Sequence, residues 1–533
     1  MNRDISQPRS LVLMRKNLLL SNIAPSLIVV VATILVGLRS LLEPFGRDQA
    51  EYATIADAML RGTVIYRDLF NVKPPPTHLL HAVSLLLFGH SMVSIRILDL
   101  LWQIAVALVV YAIGWQVSRT RAVGMVATLL YVWFYFVLFT YWDRAQTDGF
   151  LNLFVALGVY AFLRGAEQPR RWVFLLSGAA IGLGALFKYP IGLLVVLLAG
   201  LLLVREHRRG IVPALMLGIG FAAPVLACAA LLWTQGSLHA FLWIQTTYIP
   251  SYNSPRNLTI ETLRYTLVKG GSYLLVLLPY GPINVLTAMS IVLHKRRGTL
   301  TPVMPIVLWL VAGWVHVIAQ NKYYSYHGLP MLVPQALIIG SAVVSAVRRV
   351  HLLESRVVQR TVLAATLAAF LALPIYAYTQ LASLTAGTPI LEQAYSAKAY
   401  SDPDGDYSAA GNLQAAQYIS ANTKPGEQLF VWGFEPALYF QGAPPATSFI
   451  YNFPLYGDYA SPELRTAFMA ELERSAPTYI VVMKRDAIPW VTGTTDDSAT
   501  ALQHFDALRQ YIGTNYTRET EIEDFTFYRR KET

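Results

Sequence analysis

The stretch IVPALMLGIGFAAPVLACAALLW, Ile211 to Trp233, decides the fold class. It contains no charged side chain and is apolar on every side, so it does not read as the one-sided helix of a soluble core. Its length meets the about 20 residues a helix needs to cross a hydrocarbon core roughly 30 Å thick. Arg208 and Arg209 stand just before it. Working outward, comparable apolar runs recur from Leu18 to Tyr378. They are continuous rather than alternating, which excludes a β-barrel and leaves helices. Composition agrees: the 533 residues are 55% hydrophobic and 14% charged, whereas soluble domains carry about 25% charged residues.

About eleven spans of roughly 15–25 residues follow, near 18–41, 92–116, 122–140, 149–164, 172–187, 190–204, 211–233, 271–293, 302–319, 328–347 and 361–378. The intervening loops alternate in charge. One side receives Arg119 and Arg121; Arg164, Arg170 and Arg171; Arg205, Arg208 and Arg209; Lys295, Arg296 and Arg297; and Arg348, Arg349, Arg356 and Arg360. Basic loops mark the cytoplasmic side. The N-terminus, with Arg3, Arg9, Arg15 and Lys16, is therefore expected in the cytoplasm, and its apolar run reads as a first span rather than a cleaved signal. The net charge of +10 splits into +18 over residues 1–378 and −8 over 379–533. Loop topology explains the basic part, so nucleic acid is not an expected partner. The single cysteine, Cys228, excludes an intramolecular disulfide or a cysteine metal site.

The opposite face receives a long first loop (42–91), the turn Tyr141–Asp148, a loop at 234–270, the turn Gln320–His327 and the acidic C-terminal residues. Residues 379–533 read as an extracytoplasmic α/β domain. Strands are expected at Gln428–Trp432, Thr478–Met483 and Phe525–Arg529. Helices are expected at Asn412–Ala421, Pro462–Arg474 and Ala499–Tyr511. Compact loops point to a bacterial inner (plasma) membrane.

Candidate site residues collect on that outer face. In the first loop Tyr52, Ile55, Ala56, Met59 and Leu60 recur at helical spacing, predicting an amphipathic helix on the membrane surface. Asp48 reads as its N-cap, with Glu51 completing a capping box, or as a carboxylate aimed by that helix. Lys73, before Pro74, Pro75 and Pro76, is either a snorkelling anchor or a cation held at the interface. His78 and His81 read as helix packing, since no third ligand is identifiable. Arg96 and Asp99 read as an i, i+3 ion pair. Asp148 opens a span, where an acid is an N-cap or marks function. Arg144, Lys188, Lys322 and His327 complete the set. Few carboxylates among several cations suit a phosphate leaving group and an attacking hydroxyl.

These motifs resemble those of the GT-C membrane glycosyltransferases, in particular the family 39-like protein O-mannosyltransferases and lipid A aminoarabinose transferases. The resemblance covers most of residues 17–347 by topology and is sharpest at Asp48–Gly62, Lys73-Pro-Pro, Asp148 and Lys322–Pro330. It implies an all-α polytopic membrane protein of GT-C type with a C-terminal extracytoplasmic α/β domain. It gives Asp48 the place of the first-loop catalytic aspartate. The family often has Asp-Glu there; here Gln49 follows and Glu51 comes later. Lys73 takes the place of the lysine that meets the carrier phosphate. The aminoarabinose transferases carry a metal-associated glutamate before that lysine; Val72 stands here, so that metal is not expected. No cofactor is assigned, with room left for a divalent cation near the donor phosphate.

The implied activity is an inverting transfer of a sugar from a polyprenyl-phosphate carrier to a hydroxyl of a lipid, glycan or protein acceptor. Asp48, Asp148 and Glu51 are the catalytic candidates. Lys73, Arg144, Lys188, Lys322 and His327 are the phosphate-binding candidates. The competing readings are a lipid-linked oligosaccharide ligase and a secondary transporter; the latter is disfavoured because the charges cluster at one interface rather than at mid-bilayer.

Overall fold

A computed structural model describes residues 24–168, 170–253, 280–349 and 407–532, with scattered positions between 268 and 401. The expected span at 361–378 lies outside these described stretches, as do the ends of those at 18–41 and 271–293. Every other expected span falls on a helix. These are α1 (Ala24–Leu42), α2 (Arg47–Leu60) and α3 (Pro75–Phe88) of the first loop, then α4 (Met92–Ser118), α5 (Arg121–Trp133), α6 (Thr147–Glu167), α7 (Arg171–Ala185), α8 (Leu193–Glu206), α9 (Ile211–Thr234), α10 (Tyr280–Arg296), α11 (Leu300–Gln320) and α12 (Leu329–Val347). Among the described residues, seven helical segments are long and apolar enough to cross a membrane, one of them joining α8 to α9 through a tight turn at His207–Gly210. The protein is a polytopic membrane protein.

Small residues let the helices approach closely. A Cβ on Gly178 of α7 would lie 1.9 Å from the Leu217 carbonyl oxygen of α9, and one on Gly220 would lie 2.0 Å from that of Leu175. In lipid, where burial gives helices little reason to associate, such backbone contact is what holds them. At the centre of the bundle stands α12. Its residues from Leu329 to Gly340 are all buried, as expected for a helix apolar on every side.

The C-terminal region builds a four-stranded sheet from β1 (Leu429–Trp432), β2 (Tyr479–Met483), β3 (Tyr516–Ile522) and β4 (Phe525–Arg530), in the order β1-β2-β4-β3. The β1 and β2 strands are parallel, and the other neighbours are antiparallel. Helices Ala409–Asn422 and Pro462–Ser475 match expectation. The helix expected at Ala499–Tyr511 is two, Ser498–Gln503 and Asp506–Asn515, broken at His504 and Phe505. The β3 strand was not expected. Its residues Thr517, Arg518 and Glu519 are exposed, so no apolar alternation marks it.

The first loop also departs from expectation. The helix α2 does not lie on a membrane surface: Arg47, Gln49–Ala56 and Ala58 are buried. One flank faces the bundle, where the Gln49 amide donates to the Trp142 carbonyl at 2.9 Å and the Tyr52 hydroxyl to Gln146 Oε1 at 3.2 Å. The other flank faces the C-terminal region, where Thr54 Oγ1 donates to the Pro436 carbonyl at 3.0 Å. Further along, Phe70 stacks on Phe449 with ring centroids 5.5 Å apart, and Ile55, Ile65 and Leu69 share one apolar core with Leu429–Trp432.

Candidate active site

The cap of α2 is Gly46, not Asp48. The Gly46 amide donates to Gln49 Oε1 at 2.9 Å, so Gln49 does what was expected of Glu51. Asp48 is thereby released from capping. It is half-buried in the first turn, makes no hydrogen bond or ion pair to another described residue, and lines a cavity of about 610 Å³. Glu51, one turn on, lines the same cavity and accepts a hydrogen bond from the Asn71 amide. Burial, and then the Asp48 carboxylate, push the Glu51 carboxyl up to about 8, against the pull of Lys73 and Asn71.

Lys73 lines the cavity from the loop before α3. Its backbone is held at both ends: the amide donates to Asn71 Oδ1 at 2.8 Å, and the carbonyl accepts from the Tyr66 hydroxyl at 2.7 Å. Pro74 and Pro75 then start α3, where missing amides cost nothing. The ammonium lies 5.7 Å from the Tyr52 ring centroid and 5.8 Å from that of Tyr326, a cage that favours a cation. His78 and His81 turn their ring planes edge-on to Tyr52, as expected for packing residues.

Lys188 enters between α7 and the next span. Its ammonium lies 3.2 Å from Asp148 Oδ2 and donates to Gln320 Oε1. Burial pushes it down to about 8, with Asp148 opposing. Asp148 itself is fully buried beneath the cavity wall and receives His316 Nε2 on its other oxygen at 2.7 Å. Its place is therefore behind Lys188 rather than on the cavity lining. Lys322 lines the cavity with its ammonium 4.3 Å from the Tyr252 ring centroid; burial lowers it to about 8 while Asp458 opposes. His327 also lines the cavity, beneath the rings of Tyr324 and Tyr326.

Two expectations are corrected. Arg144 does not reach the cavity. It is buried, paired with Glu43, and donates to the carbonyls of Phe136 and Phe139, in and just past the π-helical turn Phe134–Leu138 that follows α5; these acceptors hold it inward. Arg96 and Asp99 are not a direct pair. Arg96 donates to the Glu43 and Pro44 carbonyls, and Asp99 accepts from Gln103 and Tyr135.

Other positions at or beside the cavity escaped the sequence reading. His316 sits within the span Leu300–Gln320, one turn before its end, and an ionisable group inside a span is itself a signal. Arg47 lines the cavity beside Asp48. A further wall is aromatic and apolar, with Phe434, Tyr451, Phe453, Ile488 and Val491 from the C-terminal region. Among the described residues no group of three or more His, Cys, Asp or Glu side chains is placed to hold a metal ion; the cavity's own acids are Asp48 and Glu51.

ArnT from Cupriavidus metallidurans, in crystals bound to undecaprenyl phosphate, superposes with a TM-score of 0.56 at 14% identity, over 94% of this chain and 97% of that one. Its apo structure gives 0.55 over the same shares. The chain has the GT-C fold. The GT-C likeness therefore extends through the C-terminal sheet as well as the bundle. Residues 72–233 match the dolichyl-phosphate-mannose-protein mannosyltransferase family profile, a stretch that includes Lys73, Asp148 and Lys188. No curated protein sequence matches the chain.

Proposed function

We propose that this protein is a glycosyltransferase that moves a single sugar from a polyprenyl-phosphate carrier to a hydroxyl acceptor, with inversion at the anomeric carbon. One observation carries the reading: Asp48, without a hydrogen-bond or ion-pair partner among the described residues, shares one cavity with Lys73, Lys188 and Lys322. The matched family profile and the ArnT complex with undecaprenyl phosphate support the donor class. The cavity's size, within the roughly 300–1,000 Å³ of small-molecule sites, favours one sugar over an oligosaccharide. The orientation that suits the basic loops puts this cavity on the outer face of the plasma membrane.

In the transfer, the bond from the anomeric carbon to the phosphate oxygen breaks as the acceptor oxygen bonds to that carbon from the opposite side. The acceptor proton passes to Asp48. The departing phosphate monoester has a second pKa near 6, so it leaves without a strong acid, and the three lysines balance its charge. Glu51, protonated at neutral pH, serves as a hydrogen-bond donor rather than a base. Asp148 orients Lys188.

Asp48→Asn tests the assignment. Gly46 and Gln49 keep the helix start, so the variant folds, with a loss of at most about 1 kcal/mol from the helix dipole. Sugar transfer from purified polyprenyl-phosphate donor falls by at least ~10²-fold. An asparagine variant that melts normally and turns over at the wild-type rate removes Asp48 as the base.

A further inference from the structure

Arg47 and the C-terminal region meet at the cavity, and neither has a role in the chemistry above. Arg47 is the first residue of α2, directly before Asp48; it lines the cavity and is 6% exposed. Its Nε lies 3.5 Å from Oε2 of Glu435, which is 1% exposed. The guanidinium carbon lies 5.8 Å from the Tyr407 ring centroid. Glu435 sits in the turn after β1, between Phe434, which lines the same cavity, and Pro436, whose carbonyl accepts from Thr54 of α2. The C-terminal region thus holds α2 at its first turn and near its middle.

Arg47 is the ion-pair partner of Glu435, and the Asn412 side chain and the Ala437 backbone amide also steady its carboxylate. A buried pair of this kind is a weak source of stability, because well-packed apolar residues of similar volume often do as well or better. What such a pair can supply is register between the parts that carry its two charges. The part carrying Arg47 also carries Asp48.

We propose that Glu435 is a positioning residue: it pins Arg47, and with it the first turn of α2, so that the Asp48 carboxylate is held toward the cavity. The C-terminal region is then a working part of the active site. The inference rests on the transferase reading, with Asp48 as base.

The test uses full-length protein in nanodiscs, with E435Q, R47Q and R47Q/E435Q. E435Q keeps the side chain's shape and removes its charge. Its kcat falls about 10- to 100-fold, as a small misplacement of a reacting group can do, while the donor KM and the melting temperature hold. The double variant is no slower than R47Q alone, because the two residues act as a unit. Amide hydrogen exchange over residues 47–51 rises in E435Q. Should E435Q fail to fold, the apolar pair R47M/E435L replaces it; it folds and remains slow. Wild-type kcat in E435Q, or losses that multiply in the double variant, overturns the proposal. A wild-type protein inactive with polyprenyl-phosphate sugars sinks the transferase reading instead. Exchange over 47–51 still decides the positioning in that case, and unchanged exchange in E435Q refutes it.

Discussion

Glu51, Lys188 and Lys322 all titrate so as to make the cavity less positive as pH rises. Below about 8 the Glu51 carboxyl is neutral and both ammonium groups are charged; above it the carboxyl is an anion and the lysines are neutral. On the transferase reading, affinity for a phosphate anion is expected to be full near pH 7 and to fall as pH climbs through about 8. Calorimetric titration with polyprenyl phosphate from about pH 7 to 9 should show this fall. Lys322→Arg, which stays charged, moves the fall to higher pH, and Glu51→Gln makes it shallower. Affinity that stays flat across this range would remove these groups from the phosphate site. At this scale the sequence identified residue types but not their facing. Lys188 and Asp148 were each legible as charges near the interface, yet their pairing joins segments 40 positions apart in the chain. The inward turn of Arg144 depended on carbonyls whose directions no residue code reveals.

Among the elements, α7 and α9 give the sharpest contrast. Gly178 and Gly220 stand where any side chain would collide with the partner backbone, whereas a Cβ on Gly218 would meet nothing within 4 Å. Gly220→Ala should destabilise the detergent-solubilised protein by about 1–3 kcal/mol through overpacking. Gly218→Ala should cost nothing and can stabilise by up to about 1 kcal/mol through helix propensity. Thermal melts of both variants check this; equal melting temperatures would contradict the close approach. The spans themselves were legible because apolar length suffices to mark them. The burial of α2 was not. Its sequence has one apolar flank, and the polar flank reads as solvent-facing until Tyr141–Gln146 and the turn at Glu435 are seen to cover it. The β3 strand was missed for the opposite reason: as an edge strand it exposes charged residues, so it carries no period-two apolar signal.

For the molecule as a whole, orientation is the decisive prediction. The alternation of basic loops is the ground for proposing that the cavity and the C-terminal sheet lie outside the cytoplasm. A reporter fused after Thr533 that is active only outside the cytoplasm should be active, and a cytoplasmic-only reporter silent. The reverse result would place the cavity on the wrong side for a lipid-linked donor presented outside. The sequence by itself determined that the chain is a membrane protein, roughly where it crosses, and which charged residues share a face. Those properties follow from hydrophobic length and loop charge, which are sums over local stretches. Only the tertiary structure decided which of those charges meet. It freed Asp48 from capping, set Asp148 behind Lys188 with His316, drew Arg144 away, and brought Glu435 from the C-terminal region to Arg47. The physical reason is that buried polar groups are settled by whichever partner packing brings within about 3–4 Å, and that partner usually lies far along the chain.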